Sequence, residues 1–185
     1  ALIKQVYEQW GELDFLVHSL AYADTQDLSK PFSETLRDGF NKAMEISAYS
    51  LLPLAKGVIP MMRKRGGGSI VSMSFIGSTL AVPNYNVMGP AKAALESCTR
   101  YLARELGPEN IRINSLSPGA IRTLSSAGIK DISEMIRVAG EHSAMKRTAT
   151  QAEVANTAAF LLSDAASGIT GQLIYVDCGY SIMAN

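Results

Sequence analysis

The sequence predicts an α/β fold, a doubly wound parallel sheet with helices on both faces, from the order of its apolar runs. Four short runs have the length and composition of strands, and they lie at residues 14–18, 66–74, 110–117 and 172–177. Helical segments separate them, and largely apolar strands joined by helices are typical of a parallel sheet covered on both faces. Ligands of such folds bind beyond the carboxyl ends of the strands, so the segment after each strand is a candidate for the site.

Helical periodicity and capping signals predict the intervening helices, at residues 1–11, 36–65, 84–106 and 150–162. The first collects its apolar side chains on one face: Ile3, Val6, Tyr7 and Trp10. Pro53 and Pro60 lie inside the second helix and predict a break or kink, because proline lacks the N–H that continues a helix. Asn84 is the expected cap of the third helix. Thr150 and Glu153 form a capping box at the start of the fourth.

Composition and charge exclude several classes of function. Seventeen Lys and Arg balance seventeen Asp and Glu, so there is no net basic field to attract nucleic acid. No apolar run is long enough to span a membrane, and the first residues lack the regions of a signal peptide. Cys98 and Cys178 fit no metal-ligand spacing, and we expect reduced thiols in a cytoplasmic protein with no metal. His18, at the end of a strand, is expected to be a hydrogen-bonded structural residue.

The start of the chain lacks a feature that dinucleotide-binding folds usually have. Such folds open with a strand, a glycine-rich turn and a helix that holds the pyrophosphate. This chain opens with a helical segment, and the glycines at 66–68 precede a strand rather than follow one. We therefore expect residues 1–185 to be the C-terminal portion of a single domain that is incomplete at the N-terminus, and to bind a nicotinamide cofactor poorly on their own.

A tyrosine and a lysine near the start of the third predicted helix carry the most chemistry. Tyr85 and Lys92 are seven positions apart, which brings side chains back to nearly the same helical face with a rise of about 10 Å. A ligand could lie between the two, with the ammonium on nucleotide ribose hydroxyls and the phenol on the reacting group. The positive charge is also expected to lower the pKa of the tyrosine and make it a better proton donor.

The order of these segments resembles the short-chain dehydrogenase/reductase superfamily. Most members place three residues between the tyrosine and the lysine, and Gly89 occupies that lysine position here. The wider spacing resembles the enoyl-acyl-carrier-protein reductase branch of bacterial type II fatty-acid synthesis. The stretches that carry the resemblance cover nearly the whole chain in the family's order: FLVHSLAYAD, ISAYS, PNYNVMGPAKAALE, IRINSLSPGAIRTLSSAGIKD and GQLIYVDCGYSI.

The resemblance implies a Rossmann-like fold and an oxidoreductase. Hydride would pass from a reduced nicotinamide to the β-carbon of a trans-2-enoyl thioester on acyl carrier protein, the last step of the elongation cycle. NADH is the implied cofactor, but NADPH stays open because the residue that selects between them follows the second strand of such folds. A homotetramer is expected, both by resemblance and because the helices at 36–65 and 84–106 leave more apolar surface than a monomer usually exposes.

The resemblance also assigns roles to individual residues. Tyr85 would hydrogen-bond the thioester carbonyl oxygen, and Lys92 would hold the nicotinamide ribose. The other cofactor-binding residues would be Ser19, Leu20, Ala21, Gly119, Ile121 and Thr123. The substrate would lie against Tyr22, Ala23, Phe75, Tyr85, Met88, Ile129 and Ile132. Residues 124–137 match a substrate-binding loop of the family.

Two positions depart from patterns of these proteins. Phe75 stands where the reductases usually carry a second tyrosine, so it can shape an acyl pocket but offers no hydroxyl. Ser47 stands where other members of the superfamily carry a catalytic asparagine. Two alternatives remain open: a short-chain dehydrogenase/reductase acting on a carbonyl or an alcohol, and a catalytically silent binding or oligomerisation fragment.

Overall fold

A computed structural model describes residues 2–123 and 131–184. Its α-helices are α1 Leu2–Trp10, α2 Thr25–Ser29, α3 Arg37–Met44, α4 Leu51–Lys64, α5 Met88–Leu106, α6 Ile132–His142 and α7 Gln151–Leu162. Its strands are β1 Phe15–His18, β2 Gly68–Met73, β3 Ile111–Pro118 and β4 Leu173–Val176. Each strand lies within or next to one of the four predicted runs, so the α/β prediction is confirmed.

The described strands form one parallel four-stranded sheet in the order β1-β2-β3-β4. Parallel strands require crossover connections, and helices supply them between each successive pair. All the strands therefore end at the same edge of the sheet. That edge gathers the segments that follow His18, Met73 and Pro118.

Apolar cores lie on both faces of the sheet, as expected for a doubly wound fold. On one face, α4 and α5 pack on the strands, and the α1 residues Ile3 and Val6 join this core. On the other face, α7 packs on β2 and β3, with Val71 and Leu116 against Leu161. The other half of the predicted α1 face is not buried, because Tyr7 and Trp10 are 47% and 62% exposed.

The predicted helix 36–65 is interrupted at a place that differs from the prediction. A π-helical turn at Glu45–Tyr49 separates α3 from α4, and the Ser50 N–H donates to the Glu45 carbonyl. Pro53 lies in the first turn of α4, where its missing N–H costs little. At Pro60 the helix does not break, because α4 continues through this residue to Lys64, and the alternative of a kink stays a prediction.

The third predicted helix begins later than the sequence indicates. Asn84 and Asn86 have φ values of 59° and 35°, so the backbone around Tyr85 forms turns, and α5 starts only at Met88. The Asn86 amide donates to the carbonyls of Asp27, Leu28 and Lys30, which ties these turns to the segment after β1. Asn84 is therefore not the cap of the helix, and the helical-face argument for Tyr85 does not hold.

The capping box predicted at the start of the fourth helix is confirmed. The Thr150 side chain accepts from the Glu153 N–H and the Glu153 side chain accepts from the Thr150 N–H, so the capping box is present. Within residues 2–123 and 131–184, no helix is long and apolar enough to cross a membrane. No cluster of three or more His, Cys, Asp or Glu in the same residues could hold a metal ion.

Candidate active site

A cavity of about 470 Å³ opens at the carboxyl ends of β1, β2 and β3. This is where parallel α/β sheets bind ligands. The predicted site residues that line it are Ser19, Leu20, Ala21, Tyr22, Ala23, Phe75, Tyr85, Met88, Lys92, Gly119, Ile121, Thr123 and Ile132. Ile129 lies outside the described residues, as does the first half of the predicted loop 124–137. The second half of that segment is helical, because α6 begins at Ile132.

Tyr85 is held by close packing rather than by a helix. Its ring is 4.8 Å from that of Phe75, tilted by 59°, and the residue is 7% exposed. Gly77 also lies against the ring, where an added Cβ would come within 2.4 Å of Tyr85 Cδ1. None of the described residues hydrogen-bonds the Tyr85 hydroxyl. The phenol is thus fixed in position and free to bind a ligand in the cavity.

The electrostatics of Tyr85 differ from the expectation. Burial raises the pKa of Tyr85 well above its usual range, and the nearby carboxylate of Glu96 raises it further. The sequence-based prediction of a lowered tyrosine pKa is therefore wrong, because burial and the charge of Glu96 both disfavour the phenolate. Tyr85 stays protonated at neutral pH, which suits a hydrogen-bond donor better than a general base.

Lys92 is a buried ammonium in the same cavity, 5% exposed, on the second turn of α5. Its Nζ donates to the Met73 carbonyl at 2.7 Å, at the end of β2. Burial lowers the pKa of Lys92 to about 8, and Glu96 acts in the opposite direction. An ammonium has three donors, so two remain after the bond to Met73 for a ligand rich in hydroxyl groups.

The structure gives a physical reason for the wide spacing between Tyr85 and Lys92. Gly89 occupies the position where a closer lysine would stand, at the start of α5. A Cβ at Gly89 would lie 2.8 Å from the carbonyl oxygen of Gly77, which belongs to the turn that supports Tyr85. The Gly77 backbone leaves no room for a side chain there, so a lysine cannot occupy position 89 without moving the turn.

The residues assigned to the cofactor come from the ends of β1 and β3. Ser19, Leu20 and Ala21 follow β1 directly, and Ile121 and Thr123 follow β3. Gly119 comes directly after β3 and approaches β4 closely, since its N–H donates to the Val176 carbonyl at 2.9 Å. A Cβ there would meet the Cα of Asp177 at 3.1 Å. These segments line the cavity, and Lys92 lines it with them.

The wall of the cavity that contains Tyr22 and Ala23 is braced by polar contacts. Ser47, fully buried in the π-helical turn, accepts from the Tyr22 N–H at 2.9 Å and donates to the Tyr22 carbonyl at 3.1 Å. The Tyr22 hydroxyl donates to Asp24, which also binds Lys42. Ser47 therefore fixes the backbone of the segment after β1, and it is Tyr22 that it holds rather than a catalytic group.

His18 ends β1 beside the cavity but does not line it. Its Nε2 is 2.8 Å from the Ser50 hydroxyl, and the residue is 1% exposed. Burial lowers the pKa of His18 to about 4, with a further contribution from the charge of Lys92. The imidazole is neutral at pH 7, which agrees with the expected structural role.

Sequence reasoning missed several residues that line the same cavity: Thr25, Leu28, Met73, Ser74, Pro118, Ala120 and Met135. Those that directly follow strands fall in segments that the sequence marks for inspection. Met73 contributes through its backbone carbonyl, and no side-chain pattern can indicate such a role. Met135 lies three residues after Ile132 on α6, so the two share a helical face. That spacing from a predicted site residue is the signal that could have identified Met135.

Comparisons with known proteins agree with this geometry. A family model described as "Enoyl-(Acyl carrier protein) reductase" matches residues 1–181. The chain is similar to the Synechocystis protein named enoyl-[acyl-carrier-protein] reductase [NADH] FabI, with 53% identity over 183 residues that make up 99% of this chain and 70% of that protein.

Solved structures give the same result. A reductase from Anaplasma phagocytophilum in complex with NAD has a TM-score of 0.94 and 40% identity, covering 100% of this chain and 70% of its own. The Bacillus cereus enoyl-acyl carrier protein reductase with NADP+ and indole naphthyridinone has a TM-score of 0.95 and 42% identity, covering 100% of this chain and 71% of its own. The chain belongs to the enoyl-acyl-carrier-protein reductase family.

Proposed function

We propose that this protein reduces trans-2-enoyl thioesters carried on acyl carrier protein, with NADH as the reductant, in the last step of fatty-acid elongation. The observation that carries the proposal is the placement of Tyr85 and Lys92. A buried neutral phenol, whose hydroxyl has no hydrogen-bond partner among residues 2–123 and 131–184, and a buried ammonium line one cavity at the ends of the strands. The names of the relatives support the same reaction and the same cofactor.

The residues of the cavity fit a nicotinamide nucleotide. The Lys92 ammonium has two donors left for ribose hydroxyls after its bond to Met73. Backbone at Ser19–Ala21 and Gly119 lines the cavity and offers further polar contacts. Ile121 and Thr123 are the proposed contacts to the carboxamide and phosphates, which the family resemblance supports. A reduced nicotinamide bound there would supply hydride to the substrate.

Tyr85 acts on the substrate as a hydrogen-bond donor. Hydride addition to the β-carbon of an enoyl thioester moves negative charge to the carbonyl oxygen, and a donor aimed at that oxygen stabilises the charge as it develops. Burial keeps the phenol protonated. The α-carbon then takes a proton from solvent, which completes the saturated thioester without requiring Tyr85 to ionise.

The apolar side chains of the cavity are the proposed contacts of the acyl chain. Phe75, Met88 and Ile132 line it together, and Met135 extends the same surface on α6. Tyr22 and Ala23 border the substrate on the β1 side. Ile129 belongs to this proposal by resemblance alone. Phe75 contributes a ring against Tyr85 but no hydroxyl, so Tyr85 is the proposed donor to the thioester.

A homotetramer in the cytoplasm is part of the proposal. Aromatic side chains stand exposed on helices that cover both faces of the sheet: Tyr101 on α5 is 73% exposed and Phe160 on α7 is 43% exposed. Aromatic residues are enriched in interfaces between protein chains. Contacts between copies of the protein would cover these side chains.

The proposed function is tested by turnover of the full-length protein with crotonyl thioester, followed as loss of NADH absorbance. A 3-ketoacyl thioester serves as the matched control, since it tests the alternative of carbonyl reduction. We expect oxidation of NADH with the enoyl thioester alone, and NADPH is assayed in parallel because the Bacillus cereus relative was solved with NADP+. Turnover of the 3-ketoacyl thioester in place of the enoyl thioester would favour the carbonyl-reductase alternative.

A further inference from the structure

Glu96 is a buried carboxylate beside the catalytic pair that the proposed reaction leaves unexplained. It lies on α5, four residues after Lys92, and is only 7% exposed. Glutamate is rarely buried unless it is paired, and here its Oε1 accepts a hydrogen bond from the Ser74 hydroxyl. Ser74 is itself 6% exposed and lines the cavity.

The contacts of Glu96 and Lys92 form one clamp on the end of β2. Residues four apart on a helix lie on the same face, and these two reach consecutive residues of the chain. Lys92 donates to the carbonyl of Met73, and Glu96 accepts from the side chain of Ser74. The backbone N–H of Ser74 also donates to the Leu116 carbonyl at 2.7 Å. The ammonium is thereby held at a fixed depth in the cavity.

The charges around Lys92 single out Glu96. The titratable groups near this ammonium in the described residues are His18 from β1, Tyr85 from the loop before α5, and Glu96 from α5 itself. His18 is neutral at pH 7 because its pKa is lowered to about 4. Tyr85 is neutral because its pKa is raised. Glu96 is thus the group among them that supplies negative charge.

Building on the proposed function, we propose that Glu96 is a positioning residue for the reaction. Anchored by Ser74, its carboxylate favours the ammonium form of Lys92 against the Met73 carbonyl and adds to the effect of burial in opposing ionisation of Tyr85. Both effects suit a reductase that stabilises an enolate, because phenolate at Tyr85 would repel the developing charge. Loss of the carboxylate would therefore affect cofactor binding through the protonation of Lys92.

The test is the pH dependence of NADH binding to full-length protein without substrate, measured by fluorescence between about pH 6 and about pH 10. In wild type, affinity should fall as pH rises through the pKa of Lys92, near 8. Glu96→Gln keeps an acceptor for Ser74 but removes the charge, and should move that fall about one pH unit lower. Affinity at low pH should stay as in wild type. Superimposable curves for Glu96→Gln and wild type would overturn the proposal.

Control variants separate the charge from the hydrogen bond. Glu105→Gln removes an exposed carboxylate on the same helix and should leave the curve unchanged. Glu96→Asp keeps the charge and should retain the wild-type midpoint. Should Glu96→Gln fail to fold, competitive chemical labelling of Lys92 in wild type decides the matter. Half-protonation near pH 8 supports the proposal, and a value below about 7, typical of a buried lysine without a counter-charge, contradicts it.

The outcome is independent of the proposed reaction. A protein that binds NADH but does not reduce crotonyl thioester would refute the proposed function. The binding curves of the Glu96 variants would still decide whether this carboxylate sets the charge of Lys92.

Discussion

Replacing Tyr85 with phenylalanine isolates the one hydrogen bond on which the proposed chemistry depends. The Tyr85 hydroxyl has no partner among the described residues, so its removal leaves no buried polar group unpaired. The ring remains, and with it the 4.8 Å contact to Phe75 and the packing against Gly77. We therefore expect the thermal stability of Tyr85→Phe to match that of wild type closely.

The expected loss is in turnover. A single donor to a developing oxyanion contributes about 3–4 kcal/mol, which corresponds to a decrease of about 100- to 1,000-fold in kcat. The dissociation constant for NADH should change less than threefold, since the hydroxyl is assigned to the substrate. Steady-state kinetics with crotonyl thioester and equilibrium titration with NADH measure the two effects separately.

A matched control is available in the π-helical turn before α4. Tyr49→Phe removes the hydroxyl of a tyrosine that is 59% exposed, and it should leave kcat unchanged. A fall in kcat of less than about threefold in Tyr85→Phe would refute the role of this hydroxyl in stabilising the transition state. A loss of NADH affinity as large as that of a Lys92 variant would refute the division of roles between the two residues.

Three further predictions concern the cofactor, the spacing and the assembly. Lys92→Ala removes the ammonium and should weaken NADH binding about 10- to 100-fold, as measured by calorimetry, because hydrogen bonds from charged groups are worth about 1.5–3 kcal/mol. Gly89→Ala places a Cβ 2.8 Å from the Gly77 carbonyl and should lower the free energy of unfolding by about 1–3 kcal/mol. The same change at Gly107, where an added Cβ has nothing within 4 Å, should cost far less in a denaturant titration. Light scattering of the full-length protein should give the mass of a tetramer, and a monomer at micromolar concentration would contradict the proposed assembly.

The sheet could be predicted from the sequence because strands that are buried on both faces consist of short apolar runs. The strands that contain Val71 and Ile113, both fully buried, appear in the sequence as apolar runs, and their order along the chain implies parallel pairing. The capping box at Thr150 is likewise a local pattern whose partners lie three residues apart. Such features depend little on distant parts of the chain.

Features that depend on contacts between distant parts of the chain were predicted less accurately. The turns around Tyr85 are stabilised by the amide of Asn86, which binds carbonyls nearly sixty residues earlier. Helical periodicity continues through this segment, so the sequence indicated a helix. In the structure, contacts with α2 and Lys30 impose turns instead. The raised pKa of Tyr85 has a similar origin, since it follows from burial by residues of several elements.

The residues of the candidate site also divide into those that the sequence predicts and those that depend on tertiary contacts. The segments after β1 and β3 were identified because parallel sheets bind ligands there, and the individual residues in them, like the roles of Tyr85 and Lys92, came from family resemblance. The Met73 carbonyl and the Glu96 carboxylate could not be predicted, because their importance lies in the clamp they form with Lys92 and Ser74. That clamp exists only once α5 packs beside the end of β2.

The central claim is that a reduced nicotinamide bound in the cavity transfers hydride to the β-carbon of an enoyl thioester. Isotope transfer tests this claim most directly. The full-length protein is supplied with crotonyl thioester and NADH that carries deuterium at both C4 positions of the dihydronicotinamide, and the product is examined by NMR and mass spectrometry. The proposed function predicts butyryl thioester with one deuterium at C3 and a solvent proton at C2. Product without deuterium at C3, or a parallel assay in which deuterium passes to a 3-ketoacyl thioester while crotonyl thioester stays unlabelled, would contradict it.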